Sequence, residues 1–471
     1  MILKYGKMAR MIIFLLVLSM AVSSVSMAEI TDYVRLTSDV TPDMLRADYW
    51  IGEGGDEILM SGEQIAQLPE NDQARLLQIA DELNADQLRE DIKALGTKKP
   101  EECFRDGAPV TQAYLDALMD NANLDGIPDA LAVKYGYTVV RASLRILPTN
   151  DFAGKSADDL FYDKLVQSEC MPFLPVLIVH ESKDGEWYFV WFYGYGGWIE
   201  KSKIALCPSR GDWIARQKKE DFLLVTGREL RLNVDRGCDA LSGMILPMGT
   251  RLPLLTVDET PESVSGRCTF NSYAVKLPTR GENGMIEDKV ALIPMSADVH
   301  VGYLDYTSRN VLTQAFKLLG DRYGWAGLDL SNDGSGIVRE IWLCFGIEMD
   351  RTTGTQSRTN SMNVIEVQDA TEEEKMAVLS SLTPGSMAYY PGHIMIYLGM
   401  RNNVPYVINA VGSFATEDME IGTELSVNSV TVNSLKVRQQ NGSTWLESVT
   451  KLLSIGSLPV AIQNQQSSPM L

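Results

Sequence analysis

The spacing of apolar residues predicts a helical region at the start of the chain. Between residues 65 and 95, apolar side chains recur at helical spacing among Glu, Asp and Gln. Thr41 followed by Pro42 and Asp43 is typical of a helix start, because threonine caps the first turn and proline fits within it. Residues 48–50 and 58–61 have extended character. We therefore expect a mainly helical region over residues 29–135.

From about residue 137 the pattern changes to the alternation that is typical of strands. The predicted strands are residues 137–147, 174–181, 187–193 and 197–200. Lys183, Asp184 and Gly185 fit the hairpin turn between the second and third of these strands. Several short strands in such a stretch favour a small barrel, which we place at residues 136–208.

A weaker strand pattern continues over residues 209–304 and predicts a second small barrel. Its expected strands are residues 273–278, 289–294 and 300–304. His300 falls in the last of these, and we interpret it as a strand residue without a chemical role. Helices and strands alternate in the remaining segment, residues 305–465. Expected there are helices at 308–319, after Asp333 and at 445–453, and strands at 386–390, 393–399, 406–409 and 429–437.

Length and charge narrow the class of protein. A chain of 471 residues is too long for one core, so two to four domains are expected. The formal net charge of −20 argues against nucleic-acid binding, because a phosphate backbone requires a basic face. Between Asn121 and Asp129, alternating oxygen-bearing side chains could surround calcium. The twelfth position is Ala132, where an EF-hand has glutamate, so a linker turn is the simpler interpretation. We predict no metal and no cofactor.

The first 28 residues have the pattern of an export signal. Lys4, Lys7 and Arg10 precede an apolar run over residues 11–22, which is too short to span a bilayer comfortably. Small residues at Ser26 and Ala28 offer a cleavage site. The alternative is an uncleaved N-terminal anchor. With the signal removed, we expect no stable membrane span and a location in the periplasm or outside the cell.

Six cysteines leave two interpretations open. An exported protein can form disulfides, and by proximity alone Cys170 with Cys207 and Cys238 with Cys268 are plausible pairs. Buried reduced thiols are the alternative. Cys344 lies in an apolar run after Asp333, where we expect it inside a helix and in the core.

The most informative residues lie in the C-terminal segment. Tyr323, Trp325 and Gly327 form one cluster, and Asp333-Gly334-Ser335-Gly336 precedes a helical run. Further on stand Arg351-Thr352, Gln356, Gly392-His393 at a strand start, and Asn409 in a later strand.

These residues resemble the NlpC/P60 cell-wall cysteine peptidases, specifically an exported subgroup with bacterial SH3-like domains. The family motif is Tyr-x-Trp-Gly-Gly, then Asp-Cys-Ser-Gly, Leu-Pro-Arg-Thr-Ser and Gly-His. The stretch 141–149 is similar to the first SH3 signature, Gly197-Trp198-Ile199 to the closing strand of that domain, and 442–447 to the C-terminal helix. Four positions depart from the pattern. They are Ala326 for glycine, Asp350 for proline, Ser386 for aspartate and Gly334 for the nucleophilic cysteine.

The resemblance implies roles for the matching residues. His393 would be the general base and acid, and Asn409 would orient its ring. Asp333, Ser335 and Tyr323 would hold the free amine of a stem peptide, while Trp325 fits a pocket wall as well as core packing. Gly334 has no side chain with which to attack. Loss of such a nucleophile can cost on the order of 10⁶-fold in turnover.

The resemblance implies an α+β fold: a helical cap, two small SH3-like barrels and a papain-like C-terminal domain. The first functional hypothesis is a pseudoenzyme that binds peptidoglycan stem peptides without cleaving them. The second is a hydrolase of the γ-D-glutamyl–diaminopimelate bond. It would use water, Ser335 or another group, although Ser335 points away from the nucleophile position on a helix. The third is a scaffold in which the SH3-like domains bind a wall partner.

Overall fold

The computed structural model describes residues 34–37, 39–68, 72–97, 103–192, 195–217 and 221–455. The predicted export signal, residues 1–28, and the predicted end of the last domain beyond residue 455 lie outside these ranges. Within them, no helix is both long and apolar enough to cross a membrane.

The N-terminal region is helical, as its periodicity predicts, but its two halves pack against different cores. A 3-10 helix, Pro42–Leu45, precedes five described α-helices and a short hairpin. The elements are α1 Ala47–Trp50, α2 Gly62–Ile65, α3 Asp72–Glu82, α4 Ala85–Gly96, β1 Phe104–Arg105, β2 Ala108–Pro109, α5 Gln112–Asn121 and a 3-10 helix Leu124–Gly126. Trp50 packs on Tyr406 of the C-terminal unit, with ring centroids 5.4 Å apart. Leu88 and Ile92 instead join a core shared with Trp198 of the following sheet.

The first β unit is a seven-stranded antiparallel sheet in the order β5-β4-β8-β7-β6-β3-β9. Its strands are β3 Lys134–Thr138, β4 Ala142–Arg145, β5 Val166–Cys170, β6 Pro175–Glu181, β7 Trp187–Phe192, β8 Tyr195–Glu200 and β9 Ile204–Leu206. A 3-10 helix, Lys201–Lys203, joins β8 to β9, and α6, Arg210–Ala215, follows. In the described part of the chain, the edge strands β5 and β9 do not pair with each other, so the sheet is open and not a closed barrel.

The second β unit contains only small antiparallel sheets around its own core, which includes Leu223, Leu246 and Val275. Its strands are β10 Phe222–Val225, β11 Glu229–Arg231, β12 Ile245–Pro247, β13 Arg251–Pro253, β14 Ser263–Val264, β15 Arg267–Cys268, β16 Ser272–Arg280, β17 Ile286–Pro294 and β18 Val299–Val301. His300 is an exposed strand residue, as expected, and its Nδ1 lies 3.0 Å from the Gly302 carbonyl.

The C-terminal unit packs helices on a six-stranded antiparallel sheet in the order β19-β24-β20-β21-β22-β23. Its helices are α7 Ser308–Lys317, α8 Gly334–Leu343, α9 Thr353–Gln356, α10 Glu372–Ser381 and α11 Trp445–Ser448. Its strands are β19 Asn363–Glu366, β20 Met387–Tyr390, β21 His393–Arg401, β22 Val404–Phe414, β23 Leu425–Ser434 and β24 Lys451–Ser454. The apolar residues of α8 are buried against β21 and β22, which fixes the N-terminus of α8 over the start of β21.

Several predictions about local structure are wrong. Residues 48–50 lie in α1, because Trp50 is buried when this turn is helical. The expected strand 137–147 is divided between β3 and β4, which lie apart in the sheet. The expected helix 445–453 ends with α11, and the chain then pairs as β24 between β19 and β20.

The two suggested disulfides are also absent. Cys170, Cys207, Cys238 and Cys268 are free thiols, which favours the interpretation as reduced cysteines. Cys344 is fully buried, as predicted, but it caps the C-terminus of α8 and does not lie inside that helix.

Candidate active site

The N-terminus of α8 is defined by Asp333. This residue has extended backbone, and its Oδ1 accepts a 2.7 Å hydrogen bond from the backbone N–H of Gly336. A carboxylate at this position satisfies an unpaired amide and complements the helix dipole. Gly334 is therefore the first residue of α8. A side chain at this position would lie at the positive end of the helix, where a thiolate is stabilised.

His393 begins β21 and Asn409 lies on the neighbouring strand β22. The Nε2 atom of His393 is 2.9 Å from Oδ1 of Asn409. Because Asn409 donates from Nδ2 to Oδ1 of Asn433 at 2.8 Å, its oxygen is the atom that faces His393. An oxygen can only accept, so Nε2 of His393 carries the proton and Nδ1 is left as the acceptor.

The acceptor nitrogen of His393 faces Gly334. A Cβ placed on Gly334 would lie 3.5 Å from Nδ1 of His393, 3.3 Å from the Ile394 carbonyl oxygen and 3.5 Å from the Ala410 carbonyl oxygen. These distances are close to ordinary van der Waals contact. A small side chain such as cysteine therefore fits with a shift of a few tenths of an ångström, and its Sγ would be within reach of the imidazole.

Asp333 and Ser335 form a compact polar cluster with Arg351. The guanidinium of Arg351 donates to both carboxylate oxygens of Asp333 at 3.0 and 3.1 Å, and to Oγ of Ser335 at 2.9 Å. Ser335 in turn donates to Oδ1 of Asp333 at 3.0 Å. Burial opposes ionisation of Asp333, but the Arg351 guanidinium outweighs it and holds the pKa below its usual value. The hydroxyl of Ser335 is thus engaged in this cluster and not by His393.

Tyr323 and Trp325 lie in front of this cluster, with Tyr162 from the first β unit between them. Ring centroids of Tyr162 are 6.0 Å from Tyr323 and 5.5 Å from Trp325. Burial and the nearby Asp333 carboxylate raise the pKa of Tyr323, so this phenol remains protonated. Trp325 is 36% exposed, and the ammonium of Lys164 lies 5.4 Å from its ring centroid. Trp325 is therefore part of the surface at this site and not fully in the core.

His393 is neutral in this environment. Burial lowers its pKa to about 4, and the hydrogen bond with Asn409 only partly offsets this effect. A neutral imidazole with a free acceptor nitrogen can take a proton from a neighbouring group. The predicted residues His393, Asn409, Asp333 and Ser335 are therefore brought together around Gly334.

Sequence reasoning missed the buried charges behind the site. Arg141, directly before β4, lies within ion-pairing distance of Glu169 on β5 and, at 3.1 Å, of Glu340 on α8. Glu169 lies 3.8 Å from Arg351. Arg141 and Glu169 are far in the chain from Glu340 and Arg351, so no local pattern could have joined the two pairs. The sequence identified Arg351 as a motif residue, but its contact with Asp333 became known only from the structure.

The suggested calcium segment and one cavity lie apart from this site. Among the described residues there is no group of three His, Cys, Asp or Glu side chains that could hold a metal ion. The Asn121 side chain, in the suggested calcium segment, instead bonds Asp184 of the β6–β7 turn. A cavity of about 820 Å³ lies between the N-terminal region, both β units and α8, but neither His393 nor Asp333 lines it.

Comparison with family models matches two parts of the chain. Residues 320–454 match the NlpC/P60 family, and residues 151–200 match an SH3 domain of the SH3b1 type. No curated protein matches the chain significantly.

Two solved structures with similar chains are of NlpC/P60 proteins. One is an NlpC/P60 endopeptidase from Photobacterium damselae subsp. piscicida, with a TM-score of 0.70 and 18% identity, covering 90% of this chain and all of that one. The other is an NlpC/P60 family protein from Bacillus cereus, with a TM-score of 0.45 and 18% identity, covering 69% of this chain and all of that one. The first likeness shows that the fold extends over nearly the whole chain.

Proposed function

We propose that this chain, which belongs to the NlpC/P60 family through residues 320–454, binds peptidoglycan stem peptides without cleaving them. The observation that carries the proposal is that His393 Nδ1 lies 3.5 Å from the position that a Cβ on Gly334 would occupy, where no nucleophile is present. A base, its orienting amide and the positive end of α8 all surround a residue that has no side chain with which to form a covalent bond to a substrate. Because the NlpC/P60 family acts on peptidoglycan, we take peptidoglycan stem peptides as the ligand class.

Neither Ser335 nor Cys344 is placed to replace the missing thiol. Ser335 donates its hydroxyl proton to Asp333 and accepts from Arg351, so it is oriented away from His393. Cys344 lies at the far end of α8, is fully buried, and burial raises the pKa of its thiol to about 12. A buried thiol of this kind remains protonated and unreactive.

The polar groups around Gly334 are suited to a peptide with a free amine. The carboxylate of Asp333, the hydroxyl of Ser335 and the phenol of Tyr323 lie near each other, with the exposed face of Trp325 beside them. Asp333 is already hydrogen-bonded by Arg351, by Ser335 and by the amides of Gly336 and Ala326. In this proposal its negative charge attracts the ammonium group of the peptide. Export to the peptidoglycan compartment is part of the proposal and is supported by the pattern of residues 1–28.

The proposal is tested by calorimetry with the peptide L-Ala-γ-D-Glu-diaminopimelate. The native protein is expected to bind the peptide, while mass spectrometry of the same mixture finds it intact. The N-acetylated peptide, which lacks the free amine, is the matched control and is expected to bind at least about tenfold more weakly. Absence of binding to the free peptide, or its cleavage, contradicts the proposal.

A further inference from the structure

The segment before α8 has an unfavourable backbone conformation. Ala326, Asp329 and Leu330 have positive φ angles of 52°, 55° and 59°, and Gly327 has 87°. Side chains beyond glycine rarely adopt this left-handed region, so such a segment persists only when surrounding contacts enforce it. The same segment, residues 324–332, carries Trp325 and leads directly into the Asp333 cap.

Arg141 of the first β unit supplies these contacts. Its Nη1 donates to the Leu330 carbonyl at 3.0 Å, and its Nη2 donates to the Ser331 carbonyl at 3.1 Å and to Oδ1 of Asn332 at 2.6 Å. One guanidinium therefore bonds three successive residues at the end of the segment. The side chain is 7% exposed, so water cannot easily replace these bonds.

Glu169 completes the attachment from the same sheet. Its carboxylate accepts a 2.6 Å hydrogen bond from Nε of Arg141, which fixes the orientation of the guanidinium. Its Cβ also lies against Gly327, since a Cβ placed on Gly327 would come within 2.4 Å of it. Gly327 is thus required both by its positive φ and by the close approach of the sheet.

Hydrogen bonds near both ends of the segment also connect it to Asp333 and α8. The backbone N–H of Ala326 donates to Oδ2 of Asp333 at 3.1 Å. Asn332 donates from Nδ2 to Oε2 of Glu340 on α8 at 2.8 Å. A change in the conformation of residues 324–332 would therefore alter both the Trp325 face and the Asp333 carboxylate.

We propose that Arg141 is a positioning residue for the peptide cleft. Its contacts with Leu330, Ser331 and Asn332 hold residues 324–332 in the form that presents Trp325 beside Asp333. The SH3-like sheet is then an integral part of the cleft and not a separate binding module. This inference rests on the proposed function for its ligand, but the attachment of the segment can be measured without ligand.

Two variants separate attachment from folding. Arg141→Lys keeps a positive charge for Glu169 and Glu340, but an ammonium cannot reproduce the geometry of the guanidinium. Gly327→Ala leaves Arg141 unchanged and forces the segment away from Glu169. Gly422→Ala is the matched control, because Gly422 also has a positive φ of 93° but nothing within 4 Å of its Cβ position.

Hydrogen exchange and peptide affinity are measured together. In both test variants, amides of residues 324–332 are expected to exchange at least about tenfold faster, while those of α8 keep their protection. Affinity for L-Ala-γ-D-Glu-diaminopimelate is expected to fall at least about tenfold, and the control is expected to match the native protein in both measurements.

If the amides of residues 324–332 exchange at the native rate in both variants, the claim that Arg141 holds this segment is wrong. Faster exchange with unchanged affinity would overturn the role in the peptide cleft. Failure of the native protein itself to bind the peptide would instead refute the proposed function. The exchange measurement would still decide whether Arg141 holds the segment.

Discussion

His393 and Asn409 form a hydrogen-bonded pair, with Nε2 and Oδ1 2.9 Å apart on adjacent strands. The pair is supported by Asn433 on β23, whose Oδ1 accepts from the Asn409 amide and so fixes which end of the amide faces the imidazole. The imidazole therefore has a fixed tautomer, and its acceptor nitrogen faces Gly334, which offers no thiol.

The ionisation of His393 is the first testable consequence. Because burial lowers its pKa to about 4, its imidazole is expected to remain neutral at pH 6, where an ordinary histidine is largely protonated. Nitrogen-15 NMR of histidine-labelled protein measures this directly. The chain has only three histidines, and His393→Gln assigns the signal.

Asn409→Asp serves as the companion variant. A carboxylate 2.9 Å from Nε2 stabilises the imidazolium, so the pKa of His393 is expected to rise well above that of the native protein. A native His393 that titrates near 6.5, or one that does not respond to Asn409→Asp, would contradict the geometry described for the pair.

Glu340 predicts an unusual dependence of stability on pH. Burial raises its pKa to about 7, against the opposing effect of Arg141. Between about pH 4.5 and 7 the folded state then binds more protons at this site than the unfolded state, so the contribution of Glu340 to stability falls as pH rises. The melting temperature of the native protein, relative to Glu340→Gln, is expected to be lower at pH 8 than at pH 5. A difference that does not change with pH would show that Glu340 stays ionised throughout.

The thiols are expected to differ sharply in reactivity. Cys268 is exposed, whereas Cys170 and Cys344 are fully buried and burial raises the pKa of each. Brief treatment with iodoacetamide should modify Cys268 in the native state, and Cys170 and Cys344 only after unfolding, as read by peptide mass spectrometry. Rapid alkylation of Cys344 in the folded protein would show that this thiol is accessible and reactive, and would make it a candidate for the missing nucleophile.

Much of the fold could be anticipated because its causes are local. Thr307 and Asp333 cap α7 and α8, the two helices that the sequence predicts at these positions. The strands β6 and β7 and the turn at Gly185 were likewise predicted. The helix α10, which Thr371 caps, was not predicted. Trp50 and the stretch after Trp445 were misassigned, because packing on Tyr406 and pairing of β24 with β20 decide their conformations.

The candidate site likewise combines residues that the sequence indicated with residues that it did not. The resemblance to the NlpC/P60 motifs singled out His393, Asn409, Asp333 and Gly334 as one group. Arg141, Glu169 and Tyr162 come from a different unit, and nothing in their neighbourhood indicates a partner some 150 residues or more away. Buried charges that pair across units become recognisable only once the two surfaces are in contact.

Turnover of L-Ala-γ-D-Glu-diaminopimelate by Gly334→Cys, followed by mass spectrometry, tests the central claim most directly. The native protein and Gly334→Cys/His393→Ala are the controls. If only the nucleophile is missing, the native protein is inert, Gly334→Cys cleaves the γ-D-glutamyl bond, and the double variant loses that activity by about 10²-fold or more. Cleavage by the native protein, or inertness of Gly334→Cys, would contradict the account of an intact cleft that lacks a thiol.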